Sequence, residues 1–341
     1  MLYVIMICLI VFLLLLFAEL LYFRLAEKCN IVDNPNERSS HSSVVLRGGG
    51  VIFSLSIVLW VVMMLYMGAG NVLANYIPFL TGLLLVTFVS FWDDLKSLPD
   101  YIRLIVHFAA MLLMFWSMGI MHWSMWWIVV LSLFVSVGAT NVINFMDGIN
   151  GITAGYSLVV VLSLLLVNEY IHFIETSFLV VVILGLLVFC LFNFRPKGNA
   201  KCFAGDVGSI SIAFIMLYGI GRLVVQTQDV TYLIFLLIYG VDGCLTICHR
   251  ILLHENLGQA HRKHAYQIMA NELKIGHVWV SLIYMSMQLI ISLVFIYLIP
   301  DTVIAHWIYL VSVTAIIAVG YIFFMKKYYH LHDEYLKSLS K

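Results

Sequence analysis

Residues 141–151 read NVINFMDGING and separate two apolar runs, at about 125–143 and 152–168. Asn and Asp are poor residues for a helix interior and costly in hydrocarbon, so water, protein or a ligand must satisfy their polar groups. The stretch therefore predicts a polar site at the junction of two membrane helices. The rest of the chain decides which of the three applies.

The composition predicts an all-α, polytopic integral membrane protein. The 341-residue chain is 63% hydrophobic and 11% charged, whereas soluble domains are roughly 45–50% apolar and about 25% charged. A membrane helix needs about 20 apolar residues, and about eleven such runs are present, with ten as the alternative count. We expect residues 1–341 to form one transmembrane domain. The runs lie at approximately 1–23, 51–69, 76–92, 103–121, 125–143, 152–168, 177–194, 209–227, 231–249, 277–299 and 304–325.

The basic residues predict the orientation. If the N-terminus is outside, 17 of the 18 Lys and Arg residues fall in inner segments, and the exception is Arg222. The positive-inside rule then places the N-terminus outside and the C-terminus in the cytosol. The cytosolic loops are expected at about 24–50, 92–103, 144–151, 194–209 and 250–276.

Two adjacent aspartates, Asp93 and Asp94, close the third apolar run. A helix C-terminus carries partial negative charge, so two carboxylates there are unfavourable unless a cation balances them. One reading is a catalytic or metal-binding pair. The other is a solvated helix end with Lys96 and Arg103 as partners.

The polar groups of NVINFMDGING have a similar ambiguity. Asn141, Asn144 and Asp147 are spaced i, i+3 and i+6, so they fall within an arc of about 120° if the segment is helical. They can line a site on one face. Alternatively, the asparagines satisfy backbone groups at a helix break.

FAGDVGS, residues 203–209, is a glycine-bearing turn before the eighth apolar run. Ser209 is expected to be the N-cap, with Asp206 just ahead of it. A helix N-terminus favours phosphate, and a nearby carboxylate can hold the Mg²⁺ that bridges phosphate oxygens. An N-capped turn without a ligand would have a similar sequence.

The segment AHRKHAYQ, residues 260–267, contains His261, Arg262 and His264. At i and i+3 the two histidines can share a helical face and bind phosphate. Zinc is an alternative that lacks a third ligand nearby, and a basic loop facing anionic lipid is another. Asp242 lies inside the ninth run and is a functional candidate, or else a partner of Arg250.

All of these clusters lie on the predicted cytosolic side, and the outer loops are short. A transporter usually has its polar site near the bilayer midplane. One-sided polarity therefore favours an enzyme that uses a soluble substrate and a lipid of the inner leaflet. The alternative is a lipid-linked glycan transporter or flippase without transferase chemistry.

WDDLKSL, NVINFMDGINGITAG, FAGDVGS and AHRKHAYQ, in this order, resemble the motifs of the polyprenyl-phosphate N-acetylhexosamine-1-phosphate transferase superfamily. The resemblance spans about residues 33–267, and DNPNERSSHSSVVLRGGG resembles that family's first cytosolic loop. It implies transfer of a sugar 1-phosphate from a UDP-sugar to undecaprenyl phosphate, with release of UMP. It also implies the bacterial cytoplasmic (inner) membrane, with the active site on its cytosolic face.

Each motif of the resemblance implies a role. The aspartate pair would deprotonate the lipid phosphate and arrange the site, Phe203 would stack on uracil, and Asp206 would bind Mg²⁺, with Mn²⁺ as a substitute. Expected partners are a UDP-N-acetylhexosamine, undecaprenyl phosphate and membrane lipid, without nucleic acid, and a homodimer is left open. The remaining residues implied or predicted to bind the nucleotide, diphosphate or sugar are Asn141, Asn144, Asp147, Arg103, His261, Arg262 and His264.

Two departures from the family pattern matter. Asn150 stands where relatives commonly have Asp, which weakens any charge role there. AHRKHAYQ lacks the triple His of the peptidoglycan branch. The chain therefore resembles the branch that initiates O-antigen, capsule or related surface glycans.

Overall fold

The computed structural model describes residues 2–33, 44–122, 124, 126–256 and 261–339, and these form helices with one short hairpin. The hairpin pairs β1 (Val32–Asp33) with β2 (Val45–Leu46). A 3₁₀ segment, Val230–Leu236, precedes α10. The helices are α1 (Leu2–Lys28), α2 (Val51–Tyr66), α3 (Gly70–Ala74), α4 (Ile77–Leu95), α5 (Asp100–Met118), α6 (Trp126–Phe145), α7 (Ile152–Ile171), α8 (Thr176–Asn193), α9 (Gly205–Thr227), α10 (Leu237–Leu252), α11 (Ala265–Asn271), α12 (His277–Tyr297) and α13 (Val303–Leu339).

The prediction of an all-α, polytopic membrane protein is confirmed. Among the described residues, ten helices are long and apolar enough to cross a membrane. The predicted run at 51–69 is the one not among these ten, since it corresponds to α2, which is apolar but only 16 residues long. The last helix continues to Leu339, well past the predicted end at 325, because its polar end remains helical after the apolar run stops.

Helix α9 lies at the centre of the bundle. Its most apolar stretch is 83% buried, compared with 17% for α1 and 6% for α13. Gly208 lets the backbone of Gly50 approach α9 closely, as is typical of membrane helix packing. The start of α9 is therefore fixed by packing from several sides.

The segment before α2 packs directly on the start of α9. Gly50 donates its N–H to the carbonyl oxygen of Ala204, and Gly49 donates to that of Phe203. A Cβ on Gly50 would lie 2.8 Å from the Ala204 carbonyl oxygen and would overlap the backbone of Gly208. Glycine is therefore required here by the close backbone approach. Residues 34–43, which include much of DNPNERSSHSSVVLRGGG, lie outside the described residues.

The predicted N-cap of α9 is wrong. The helix begins at Gly205, so Ser209 lies one turn inside it, and Ala204 occupies the N-cap position. Gly205 has φ +70°, and a Cβ there would overlap the carboxylate of Asp94. The helix can begin this early because Asp94, from another helix, binds the amides at its start.

Candidate active site

Three aspartates from two helices meet at the beginning of α9. Asp93 and Asp94 are in the last turn of α4, and Asp206 is in the first turn of α9. The carboxylate of Asp94 accepts hydrogen bonds from the backbone N–H groups of Asp206 and Val207, each at 3.0 Å. A carboxylate at a helix N-terminus is stabilised by the free amides and the helix dipole. Asp94 thus caps α9 from a neighbouring helix.

Two arginines offset part of the charge of this acid cluster, which we define as Asp93, Asp94 and Asp206. Arg47 Nε lies 2.7 Å from Asp94 Oδ1. Arg103 Nη1 lies 2.9 Å from Asp93 Oδ2 and 3.8 Å from Asp206 Oδ2. Arg103 thus pairs with the aspartates as in the helix-end interpretation, but Asp93 and Asp94 are buried and not solvated.

Asp93 and Asp206 have carboxyl groups in hydrogen-bond contact with each other. Two carboxylates at this separation need a proton or a cation between them. Among the described residues, no three His, Cys, Asp or Glu side chains are grouped as a complete metal site. Two carboxylates with open positions suit Mg²⁺, which usually keeps waters and binds substrate phosphates. The donor set therefore fits the predicted Mg²⁺, with Asp206 and Asp93 as the residues that would hold it.

The NVINFMDGING segment turns beside the acid cluster. Helix α6 ends at Phe145, so Asp147 lies in the turn and the predicted helical arc does not include it. Asn144 Oδ1 accepts a hydrogen bond from Ser209 Oγ at 2.6 Å, which links the end of α6 to α9. Asn141 instead donates to the Val137 carbonyl of its own helix.

Asp147 is a carboxylate in an enclosed position. Its Oδ1 accepts a hydrogen bond from Thr153 Oγ1 at 2.6 Å. The side chain retains some solvent contact but lies deep among protein atoms, and this burial raises its pKa to about 6, against the lowering effect of the Thr153 bond. The group therefore changes charge close to neutral pH.

Asn150 has a role that an aspartate could not perform. Its Nδ2 donates to the carbonyl oxygens of Arg195 and Pro196, at 2.9 and 3.1 Å. A carboxylate has no proton to donate when ionised and would be repelled by both carbonyls. The amide ties the turn after α6 to the loop after α8.

Phe203 is held by its backbone between two segments. Its N–H donates to the Leu46 carbonyl at 2.8 Å, and its carbonyl accepts from Gly49 at 2.9 Å. The side chain is half-buried. Stacking on uracil stays a prediction.

The two histidines of AHRKHAYQ do not share a helical face. Helix α11 begins at Ala265 with His264 as its N-cap, so His261 precedes the helix. The rings still lie near each other, with centroids 5.0 Å apart, and the His261 ring is 6.0 Å from that of Phe145. The loop is therefore adjacent to the turn that carries Asp147.

His261 and Arg262 differ in what they can contribute. Burial, reinforced by the positive groups around it, lowers the pKa of His261 to about 3, so this imidazole is neutral near pH 7. Arg262 pairs with Glu272 at 3.3 Å and stacks over the ring of Tyr335 at 4.6 Å. These contacts hold Arg262 against α11 and α13, and its role in substrate binding stays a prediction.

Asp242 pairs with His264, not with Arg250, the partner in the alternative interpretation. The Asp242 carboxylate lies 3.1 Å from His264 Nδ1 and accepts from Tyr284 Oη at 2.5 Å. Arg250 forms an ion pair with Glu255 at 3.2 Å.

The structure thus joins most of the predicted site residues. The acid cluster and Arg103 are in direct contact, and Asn144 reaches α9 through Ser209. Residues 261–264, which we call the histidine loop, adjoin the turn of Asp147. Asn141 and Arg262 are bound elsewhere. Sequence reasoning missed Arg47 as a partner of Asp94, although its position next to three glycines was a signal of close packing.

The chain is similar to several known proteins. The model of glycosyl transferase family 4 matches residues 76–223. A probable undecaprenyl-phosphate N-acetylglucosaminyl 1-phosphate transferase of Bacillus subtilis is 25% identical over 262 residues, which are 71% of this chain and 70% of that protein. The phospho-N-acetylmuramoyl-pentapeptide-transferases of Listeria welshimeri and Streptococcus pneumoniae are 33% and 41% identical, each over about a quarter of both chains.

Proposed function

The chain belongs to the polyprenyl-phosphate N-acetylhexosamine-1-phosphate transferase superfamily, and on this premise we propose that it transfers N-acetylhexosamine 1-phosphate from a UDP-sugar to undecaprenyl phosphate. The products are UMP and an undecaprenyl-diphosphate-linked sugar. The reaction takes place at the cytosolic face of the bacterial inner membrane and depends on Mg²⁺, with Mn²⁺ as a substitute.

The observation that carries this proposal is the acid cluster with its two arginines. Three carboxylates converge on the first turn of the most buried helix, and Arg47 and Arg103 offset only part of their charge. A helix N-terminus, carboxylates and guanidinium groups together suit a diphosphate with its cation. A transporter without phosphate chemistry has no need for this arrangement at one end of the bundle.

The transfer requires positioning and charge neutralisation more than covalent chemistry by the protein. An oxygen of the lipid phosphate bonds to the β-phosphorus of the UDP-sugar, and the bond from that phosphorus to the bridging oxygen breaks. UMP leaves with that oxygen. Mg²⁺, held by Asp206 and Asp93, supplies neutralisation of the diphosphate when it is bound. Arg103, which contacts both carboxylates, orients them.

The two adjacent aspartates have different roles in this proposal. Asp94 has no side-chain exposure, and its oxygens are occupied by Arg47 and two backbone amides. Asp93 keeps a small exposed fraction, 7%, while its Oδ1 accepts from the backbone N–H of Leu98 and its Oδ2 from Arg103. Asp93 is therefore the more accessible member of the pair and the one that meets the lipid phosphate, and Asp94 positions α9.

The remaining residues bind the donor. Asn144, Asp147 and Phe203 line the nucleotide side, and the histidine loop contacts the diphosphate and the sugar. The loop lacks the triple His of the peptidoglycan branch, which supports a simple N-acetylhexosamine over a muramoyl-pentapeptide. The product then initiates a surface glycan.

The test is incubation of the purified protein with undecaprenyl phosphate, Mg²⁺ and a panel of UDP-N-acetylhexosamines. We expect UMP release and a new lipid-linked sugar for one or more donors, each dependent on both lipid and cation. The Asp206→Asn variant is the matched control for background hydrolysis. Movement of a lipid-linked glycan between leaflets without UMP release would overturn the proposal and favour the flippase.

A further inference from the structure

Another buried carboxylate lies behind the histidine loop, outside the acid cluster. Asp242 is in α10 and is 3% exposed. A carboxylate inside an apolar membrane span is costly unless it is hydrogen-bonded or has a function. The side-chain hydroxyls of Tyr284 and Thr246 donate to it, and the third side-chain partner is His264.

The contact with Asp242 decides which nitrogen of His264 carries the hydrogen. His264 Nδ1 lies 3.1 Å from Asp242 Oδ1. An ionised carboxylate only accepts hydrogen bonds, so Nδ1 is the protonated nitrogen and Nε2 is the one left to act. Carboxylate–imidazole pairs of this kind fix both the tautomer and the ring orientation.

His264 Nε2 is buried and has no hydrogen-bond partner among the described residues. Buried polar atoms without a partner are rare in folded proteins, and each one calls for an explanation such as a catalytic role or a bound molecule. The His264 ring lies beside His261, which adjoins Phe145 and the turn of Asp147. The ring that carries the unpaired nitrogen is thus linked to that turn through His261 and Phe145.

We propose that Asp242 is a positioning residue that holds His264 so that Nε2 meets the diphosphate or sugar of the UDP-sugar. This inference rests on the proposed function. The bond to the carboxylate fixes the orientation of the ring, so Nε2 is held toward the donor. His261 is not placed to do the same, because no carboxylate is bonded to its ring among the described contacts.

A purely structural role for Asp242 is the competing explanation. Its carboxylate also accepts from the backbone N–H of Ala265 at 3.2 Å, so it stabilises the start of α11. Loss of this contact would lower the amount of folded protein without changing the chemistry of each folded molecule. A double-mutant cycle separates the two explanations, since residues that act as a unit show non-additive losses.

The experiment measures kcat and KM for the UDP-sugar in Asp242→Asn, His264→Ala and the double variant, normalised to folded protein. We expect each single variant to lower kcat/KM by about tenfold or more, since a charged hydrogen bond is lost. The double variant should be no worse than His264→Ala alone. The Mg²⁺ dependence should be unchanged in all three.

Two further variants keep the test decisive. Tyr284→Phe removes one hydrogen bond to Asp242 and leaves the charge of Asp242 in place. If Asp242→Asn does not fold, Tyr284→Phe takes its place in the double-mutant cycle, and we expect the same non-additivity with His264→Ala. Asp229→Asn is the matched control, because Asp229 forms a similar pair with His306 Nδ1 at 2.6 Å, remote from the acid cluster. It should leave kcat/KM unchanged.

Multiplicative losses in the double variant, or unchanged kcat/KM in both Asp242→Asn and Tyr284→Phe, would overturn the positioning role. Rescue of His264→Ala by excess Mg²⁺ or Zn²⁺ would also overturn it, because the histidine would then be a metal ligand. A wild-type protein that releases no UMP would overturn the proposed function itself. If the wild type releases UMP but the double-mutant cycle gives multiplicative losses, only the role of Asp242 is overturned.

Discussion

Replacing Asp94 with Asn should destabilise the fold, whereas the same change at Asp93 should mainly remove activity. The Asp94 carboxylate accepts from Arg47 Nε at 2.7 Å and from the backbone amides of Asp206 and Val207 at 3.0 Å. An asparagine keeps one acceptor oxygen, and its NH₂ group would face at least one of these donors. Arg47 would also lose its charge partner.

The expected cost of Asp94→Asn follows from these contacts. Breaking a buried ion pair by removing one partner costs about 3–5 kcal/mol. Arg47 is one-third exposed, so water screens part of the loss, and we expect about 3 kcal/mol, the lower end of that range. At roughly 2–4 °C per kcal/mol, the apparent Tm in detergent should fall by on the order of 10 °C.

Asp93→Asn is the matched control for this prediction. It loses its contacts with Arg103 and with the backbone N–H of Leu98, but it also removes the negative charge next to the Asp206 carboxyl, so its Tm should change much less. The assay is thermal unfolding of both variants in the same detergent, together with UMP release per folded molecule. The reasoning would be refuted by an Asp94→Asn Tm within about 2 °C of wild type, or by a larger loss in Asp93→Asn.

Three further predictions concern the metal, a titrating acid and the topology. Asp206→Asn should abolish UMP release while the protein still folds, because a neutral amide binds Mg²⁺ much more weakly; near-normal turnover at limiting Mg²⁺ would remove Asp206 from the metal site. The pKa of Asp147 is raised from 3.8 to about 6, so its contribution to stability is present below the lower value and lost as pH rises through the upper one. Asp147→Asn should therefore raise the apparent Tm near neutral pH and change it little near pH 4, and equal shifts at both would contradict this. For the topology, Cys29, Cys244 and Cys248 are first replaced by Ser, and single cysteines are then placed at the exposed positions Ser97, Asn199 and Thr302. In intact cells the cysteines at 97 and 199 should be shielded from an impermeant thiol reagent, and the one at 302 should react. The reverse pattern would invert the predicted orientation.

The apolar runs predicted the membrane helices because hydrophobic length is a local property of the sequence. The exceptions have physical causes. Helix α2 is short because the helix ends at Tyr66, before the apolar run at 51–69 ends. Helix α13 continues as a polar helix beyond its apolar run. Hydropathy reports where a chain can enter hydrocarbon, and it does not report where a helix stops.

The acids of the site could be predicted individually, but their arrangement could not. The separation in sequence between Asp94 and the amides it caps is 112 residues or more, and between Asp242 and His264 it is 22. Capping rules look for an N-cap within the same segment, so they selected Ser209. The actual cap comes from another helix, and no local pattern in FAGDVGS signals it.

The glycines around the acid cluster explain why this distant cap is feasible. Asp94 reaches the first amides of α9 only because Gly205, at φ +70°, leaves room for its carboxylate. Gly50 lets the Arg47 segment lie against the same turn, which places the guanidinium on the other side of Asp94. A side chain at either glycine would separate the three carboxylates while leaving every acid present. The glycines next to Arg47 and Asp206 are therefore as much a part of the site as the charged residues, because they determine the distances at which those charges act.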